Sequence, residues 1–125
     1  MRRTFQPKLV TGDLIEWDTR PLLAELLEGL EQGVPVETLA WEFHGAVADA
    51  LAAMAHRASQ QTGLATVGLS GGVFCNALLT QLVVTRLERL GLKVLIHRQV
   101  PPNDGGLALG QAAVAAARRG AGSSK

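Results

Sequence analysis

The stretch LSGGVFCN at residues 69–76 decides the fold, because a short apolar run precedes it and a helical pattern follows it. A second stretch, PPNDGG at residues 101–106, lies in the same way between an apolar run and an alanine-rich segment. Alternating strands and helices favour parallel strand pairing through right-handed crossovers. Both loops then emerge at the carboxyl edge of one sheet, where open α/β proteins bind ligands. The sequence therefore predicts the α/β class, with a candidate site between the two loops.

The elements around these loops follow from apolar spacing and from the positions of glycine and proline. The long helix before the first loop is expected to bury a face that includes Leu39, Phe43 and Val47. A glycine- and serine-rich tail is expected to be flexible. The predicted hairpin spans Lys8 to Asp18, the helices span Asp18 to Leu30, Val36 to Gln61, Phe74 to Leu90 and Gly106 to Arg119, the strands span Leu64 to Leu69 and Lys93 to His97, and the tail spans residues 120–125.

Length and composition limit the function classes. The chain of 125 residues is expected to form a single domain, and 47% hydrophobic residues suffice for an apolar core. A formal net charge of +1 gives no reason to expect a nucleic acid or a membrane as partner. Cys75 is the single cysteine, which excludes an internal disulfide, and no apolar run reaches the ~18 residues of a membrane span. With no signal peptide evident, a cytoplasmic location is expected.

The first loop has the composition of a phosphate-binding turn. Ser70, Gly71 and Gly72 lack bulk, so phosphate oxygens can approach the main-chain N–H groups. The following helix directs the positive end of its dipole to the same place, and Asn76 can donate from its amide. The pattern is not a Walker-type P-loop. The alternative is structural: a tight strand-to-helix connection in which Asn76 caps the helix.

The second loop adds a carboxylate. Two prolines exclude helix before Asn103, and Gly105 and Gly106 let the main chain turn sharply. Asp104 is expected at the mouth of the site, where the last helix begins. One interpretation makes Asp104 the N-cap of that helix, and the other makes it a ligand of a metal ion that bridges to phosphate.

Two longer runs, LSGGVFCNALL and LGLKVLIHRQVPPNDGGLALGQAA, resemble the carboxy-terminal end of the HypF family, the hydrogenase maturation carbamoyltransferases. WDTRPL at residues 17–22 and AWEFH at residues 40–44 resemble it too, so the likeness extends from Asp13 to Ala117. Each glycine loop is a weak signal by itself, whereas the pair is specific. The resemblance implies half of an actin-like, ribonuclease-H-like domain of the ASKHA (Kae1-like) type, with a short mostly parallel sheet, an N-terminal hairpin and packed helices.

The resemblance also implies an activity. In this family the domain transfers a carbamoyl group from carbamoyl adenylate to the C-terminal cysteine thiol of a partner protein, during maturation of nickel–iron hydrogenase. Asp104 falls on a carboxylate that helps to hold a divalent metal ion, either iron, zinc or magnesium, beside ATP or carbamoyl adenylate. The nucleotide-binding residues that carry over are Ser70, Gly71, Gly72, Val73, Asn76, Asn103, Gly105 and Gly106.

Two departures from the family pattern limit this interpretation. Ala77 stands where the family has an arginine, which is expected to weaken contacts near the phosphates. The family's metal site also takes two histidines one helical turn apart, and His44, His56 and His97 form no such pair. The chain is therefore interpreted as a fragment or truncated homologue that is inactive by itself. Its expected partner is the missing half of the domain, or a second copy bound through exposed apolar surface.

Two alternatives to a transferase fragment stay open. The first is a non-catalytic nucleotide-binding or assembly module that kept the scaffold, and the second is an unrelated α/β protein with two structural glycine turns. Among the histidines, His97 is the candidate for a role in the site because it ends the strand before the second loop. His44 is expected to be structural, and Cys75 is not expected to act as a nucleophile.

Overall fold

The computed structural model describes residues 6–122, which form two small sheets and four α-helices. Strands β1 (Lys8–Thr11) and β2 (Ile15–Asp18) pair in antiparallel fashion. Strands β3 (Thr66–Leu69) and β4 (Lys93–Ile96) pair in parallel over all four residues of each. The predicted hairpin and the predicted parallel pair are both confirmed, and the chain has the expected mixed α/β architecture.

Proline and glycine set the ends of the first two helices. Helix α1 (Arg20–Glu31) has Pro21 in its first turn, where a helix needs no N–H donor. Helix α2 (Val36–Thr62) ends at Gly63, whose φ of +74° places it in the left-handed region that closes helices. The two later helices are α3 (Ala77–Arg89) and α4 (Leu107–Gly122).

The main core lies where α2 and α3 pack together against the β3–β4 sheet. Ala48 and Ala52 on α2 are small enough to let α3 approach closely. Val83 and Leu87 on α3 fill the interface and are each 1% exposed, so each contributes roughly 1.5–3 kcal/mol through apolar burial. The buried members of this core are Ala48, Ala52, Leu69, Leu79, Val83, Leu87 and Leu92.

Two details of the helices differ from the sequence prediction. Phe43 was expected on the buried face of α2 and is 38% exposed, because α3 packs against the alanines further along the helix. Helix α4 continues to Gly122, so the first residues of the predicted tail are helical. The remaining residues of that tail, 123–125, lie outside the described residues.

Helix α4 is exposed along its whole length. None of its residues is buried, and the apolar side chains of Leu107, Leu109 and Val114 are each more than half exposed. Apolar side chains grouped on a surface are typical of a contact region. Between residues 6 and 122, no helix is both long and apolar enough to cross a membrane.

Candidate functional site

The first loop joins β3 to α3 through a tight glycine turn. Gly71 has φ +102° and ψ 161°, a conformation that glycine adopts and other residues essentially do not. Gly72–Cys75 then forms a 3₁₀ turn, so the helix that was predicted from Phe74 begins at Ala77 instead. The later start has a local cause, because the extended backbone of Asn76 ends the 3₁₀ turn and its side chain caps α3.

The main-chain N–H groups of the first loop are partly occupied and partly free. The Gly71 N–H donates to the Pro102 carbonyl at 2.7 Å, and the Phe74 N–H donates to the Gly71 carbonyl at 3.1 Å. The N–H groups of Gly72 and Val73 have no acceptor within residues 6–122. These two donors at the start of the 3₁₀ turn are therefore available to an anion.

Asn103, rather than Asp104, holds the second loop. Its Oδ1 accepts the N–H of Gly105 at 3.1 Å, and its carbonyl accepts the N–H of Gly106 at 3.1 Å. A Cβ at Gly106 would lie 3.0 Å from the Pro101 carbonyl oxygen, so a larger residue there would force the turn to shift slightly. The N-cap interpretation of Asp104 is therefore wrong. Its exposed carboxylate forms no hydrogen bond or ion pair within the described part of the chain.

Two hydrogen bonds tie the loops to each other. One is the contact between the Gly71 N–H and the Pro102 carbonyl, and the other joins His97 Nε2 and Ser70 Oγ at 2.9 Å. Ser70 follows β3 and His97 follows β4, so the second contact spans the carboxyl edge of the parallel pair. The expectation that both loops share one edge is confirmed, and His97 lies beside the first loop.

A groove of about 950 Å³ opens between the two loops and α4. His97 lies on its polar wall, and Leu107 and Val114 of α4 lie on its apolar wall. The predicted site residues that line the groove are Ser70, Gly71, Gly72, Asn103, Asp104 and Gly106. The predicted residues that do not line it are Val73, Asn76 and Gly105.

Asn76 caps α3, as the structural alternative predicted. Its Oδ1 accepts the N–H of Leu79 at 3.0 Å. Its Nδ2 lies 2.8 Å from His44 Nε2, and His44 Nδ1 lies 2.7 Å from the Ala40 carbonyl oxygen. The sequence held no signal for the contact with His44, because it depends on how α2 and α3 cross and joins residues 32 apart.

The described residues do not form a metal centre by themselves. Across residues 6–122, no three histidine, cysteine, aspartate or glutamate side chains are grouped so that they could hold an ion. Asp104 in the groove offers one hard oxygen ligand, whereas hard divalent cations take about six or more ligands. The described residues therefore offer one candidate ligand of a metal ion and no complete set.

The ion pairs of Asp18 lie at the end of the hairpin and the start of α1, away from the two loops. The guanidinium of Arg20 donates to both carboxylate oxygens of Asp18, at 2.8 and 2.9 Å, and Lys8 Nζ lies 3.6 Å from Asp18. The hydrogen bond from Arg20 holds the pKa of Asp18 well below its usual range. This cluster ties the hairpin to α1.

Comparisons with known proteins agree with one another. Residues 3–111 match the family model described as "Carbamoyltransferase, Kae1-like Domain, second subdomain". Carbamoyltransferase HypF2 of Cupriavidus necator is 44% identical over 96 residues, which are 77% of this chain and 12% of that protein. Full-length HypF, in a crystal structure of its phosphate- and nucleotide-bound form, is similar with a TM-score of 0.84 at 29% identity, over 92% of this chain and 15% of that one.

A second solved structure gives the same result. The crystal structure of T. kodakarensis HypF is similar with a TM-score of 0.73 at 33% identity, over 89% of this chain and 14% of that one. The chain thus spans less than a sixth of the length of each of these relatives.

Proposed function

The chain belongs to the HypF family of carbamoyltransferases, where it matches the second subdomain of the Kae1-like domain, and from this membership we propose that it forms the nucleotide-phosphate wall of a carbamoyl-transfer site. The observation that carries the proposal is the pair of free N–H groups at Gly72 and Val73. They follow a glycine turn at the carboxyl edge of a parallel sheet, which is where α/β proteins hold ligand phosphates. ATP or carbamoyl adenylate is the nucleotide.

In carbamoyl transfer, these N–H groups would stabilise the negative charge that develops on the phosphate. The acceptor is the C-terminal cysteine thiol of a hydrogenase maturation protein, and its thiolate attacks the carbamoyl carbon of carbamoyl adenylate. A carbon–sulfur bond forms, the bond from that carbon to the phosphate oxygen breaks, and AMP leaves with the electron pair. Donors fixed beside the phosphate stabilise the charge that develops on it. Full-length HypF, a similar protein, has been crystallised in a phosphate- and nucleotide-bound form, which supports a nucleotide as the ligand.

Asp104 supplies one ligand to a metal ion beside the phosphates. Its exposed carboxylate lines the same groove as Gly72 and forms no hydrogen bond or ion pair within the described residues, so it is free to coordinate. When bound, a hard divalent cation neutralises phosphate charge. The other ligands come from outside this subdomain, because the described residues offer no further cluster.

The partner that completes the site is the first subdomain of the same Kae1-like domain. The groove is open, and one of its walls is α4, on which no residue is buried. The exposed apolar side chains Leu107, Leu109 and Val114 suit coverage by another protein surface. A second copy of this chain is the other candidate, and analytical ultracentrifugation with and without the first subdomain separates the two.

The experiment that tests nucleotide binding uses Gly72 to delete one donor. ATP is titrated into the isotope-labelled chain, and we expect weak binding that shifts the main-chain amide signals of Gly72 and Val73. Gly72→Pro removes one free N–H, and its fixed φ of about −65° suits the first residue of a 3₁₀ turn. Gly72→Ala is the matched control, because it adds a Cβ into open space and keeps the N–H.

Gly72→Pro is expected to weaken ATP binding at least about 10-fold more than Gly72→Ala does, since a hydrogen bond to a charged group contributes roughly 1.5–3 kcal/mol. Equal affinities of the two variants would refute phosphate binding at this turn. In the assembled transferase, Asp104→Asn is expected to abolish carbamoylation of a peptide that ends in cysteine, and full activity would remove Asp104 from the site. If the chain binds the first subdomain but no ATP, the assembly-module alternative is the correct one.

A further inference from the structure

A chain of hydrogen bonds runs from α2 into the junction between the first loop and α3. His44 Nδ1 lies 2.7 Å from the Ala40 carbonyl oxygen, and His44 Nε2 lies 2.8 Å from Asn76 Nδ2. Asn76 Oδ1 accepts the N–H of Leu79 at 3.0 Å. These hydrogen bonds therefore connect one turn of α2 to the first turn of α3.

The chemistry of these groups fixes which atom donates and which accepts. A carbonyl oxygen can only accept, so His44 Nδ1 carries a hydrogen and donates it to Ala40. An amide nitrogen donates, so His44 Nε2 is an unprotonated acceptor for Asn76. A reversed Asn76 amide would place its oxygen against the lone pair of His44 and its NH₂ group against the N–H of Leu79. The neutral, Nδ1-protonated imidazole thus selects the amide orientation that caps α3.

We propose that His44 is a positioning residue, which fixes the amide of Asn76 and thereby holds the turn that presents the free N–H groups to a ligand. Asn76 is linked directly to the 3₁₀ turn, because its main-chain N–H donates to the Val73 carbonyl at 3.1 Å. The effect on ligand binding rests on the proposed nucleotide function, whereas the positioning itself rests on the hydrogen bonds.

Apart from the main-chain N–H of Leu79, the other contacts of this junction do not orient the amide. The hydroxyl of Thr80 lies 3.0 Å from the Phe74 carbonyl oxygen and 2.9 Å from the Asn76 carbonyl oxygen, so it holds main-chain atoms. Helix α2 holds His44 in a fixed place relative to α3. The two helices form the main core together, and the ion pair of Asp49 and Arg86 joins them. Within the described residues, His44 is the side chain that selects the orientation of the Asn76 amide.

The first measurement is made on the complete 125-residue chain by nitrogen NMR. At neutral pH we expect the imidazole nitrogens of His44 to show a protonated Nδ1 and an unprotonated Nε2. We also expect a through-hydrogen-bond coupling between His44 Nε2 and the side-chain nitrogen of Asn76. A merely structural histidine that fills space would not require this tautomer. Finding the hydrogen on Nε2 would overturn the proposal.

The second measurement compares three variants by hydrogen exchange at the Leu79 N–H. His44→Leu removes the acceptor, and exchange is expected to speed up about 5- to 10-fold, as for the loss of a helix cap. His44→Gln can place an amide oxygen at the same distance along its side chain, so exchange is expected to return to within about 2-fold of the unmodified rate. His56→Gln on the same helix is the control, and no change is expected.

Rescue by His44→Gln separates orientation from simple packing. Thermal unfolding of each variant checks that it is folded, and exchange that is equally fast in the leucine and glutamine variants would overturn the proposal. ATP titration then tests the consequence, with affinity expected to fall about 5-fold or more in His44→Leu and to recover in His44→Gln. If the unmodified chain binds no ATP, the nucleotide function fails, and the tautomer and exchange results still decide the role of His44.

Discussion

Replacing Gly71 by alanine tests whether the first loop depends on its backbone conformation. The φ of +102° and ψ of 161° at Gly71 lie in a region that is essentially restricted to glycine. A Cβ at this position would meet no atom of a non-adjacent residue within 4 Å, so a destabilising effect of Gly71→Ala cannot come from a clash with the surrounding structure. The measured loss of unfolding free energy therefore reports the strain of the backbone conformation. We expect it to be about 2 kcal/mol, within the usual range of ~1–3 kcal/mol.

Gly72→Ala is the matched comparison, because its Cβ also enters open space and its φ is not positive. We expect Gly72→Ala to leave the free energy of unfolding unchanged or to raise it by a few tenths of a kcal/mol, since alanine restricts the unfolded chain. Urea denaturation of the two variants and the unmodified chain gives the difference directly. For a domain of this size, ~2 kcal/mol corresponds to a fall of about 8 °C in Tm.

The hydrogen bond between the two loops provides a second readout. If alanine relaxes residue 71 to a negative φ, its N–H no longer points at the Pro102 carbonyl, and that amide hydrogen should exchange much faster. Equal stability of the Gly71→Ala and Gly72→Ala variants, with unchanged exchange at residue 71, would refute the reasoning.

Three further predictions concern the core, the acid response and the second loop. Leu87→Ala removes a side chain that is 1% exposed and should lower the free energy of unfolding by about 2–5 kcal/mol in urea denaturation, whereas Leu109→Ala at a 60% exposed position should leave it unchanged. Because Arg20 lowers the pKa of Asp18, their pairing contributes stability that is fully present above the ordinary aspartate pKa and is lost as pH falls through the lowered one. Acid titration followed by circular dichroism should therefore show a smaller loss of stability in Asp18→Asn than in the unmodified chain, and equal losses would contradict this. Gly106→Ala would place a Cβ 3.0 Å from a carbonyl oxygen of the preceding turn, so amide signals of the second loop should shift in NMR spectra, and an unchanged spectrum would count against the steric requirement.

The shared edge of the two loops could be predicted from the sequence, because strand–loop–helix order and crossover handedness determine it. The start of α3 could not, because Phe74 continues the apolar pattern of the helix while its backbone lies in a 3₁₀ turn. The choice between Asn103 and Asp104 as cap could not be predicted either. The two residue types cap helices about equally well, so turn geometry decides between neighbours.

Contacts between residues that are far apart in the sequence could not be predicted from local sequence patterns. The Gly71 N–H was expected to be available to phosphate. It donates to the Pro102 carbonyl instead, because the parallel pairing of β3 and β4 places the two loops side by side. His44 was expected to be structural, and its contact with Asn76 depends on where α2 crosses α3. Sequence spacing gives residue types and element order, whereas these contacts follow from how the finished elements pack.

The exposed helix α4 has a consequence for the thermodynamics of assembly. With no buried residue, its helicity depends on local alanine propensity, against which Gly110 within the helix acts by about 1 kcal/mol. A helix of this length is marginal in water without tertiary support, so we expect α4 to exchange between helix and coil when nothing covers it. A surface that docks on α4 shifts this equilibrium towards helix. Part of the free energy of docking is thereby offset by the conformational entropy that α4 and the second loop lose when they become ordered.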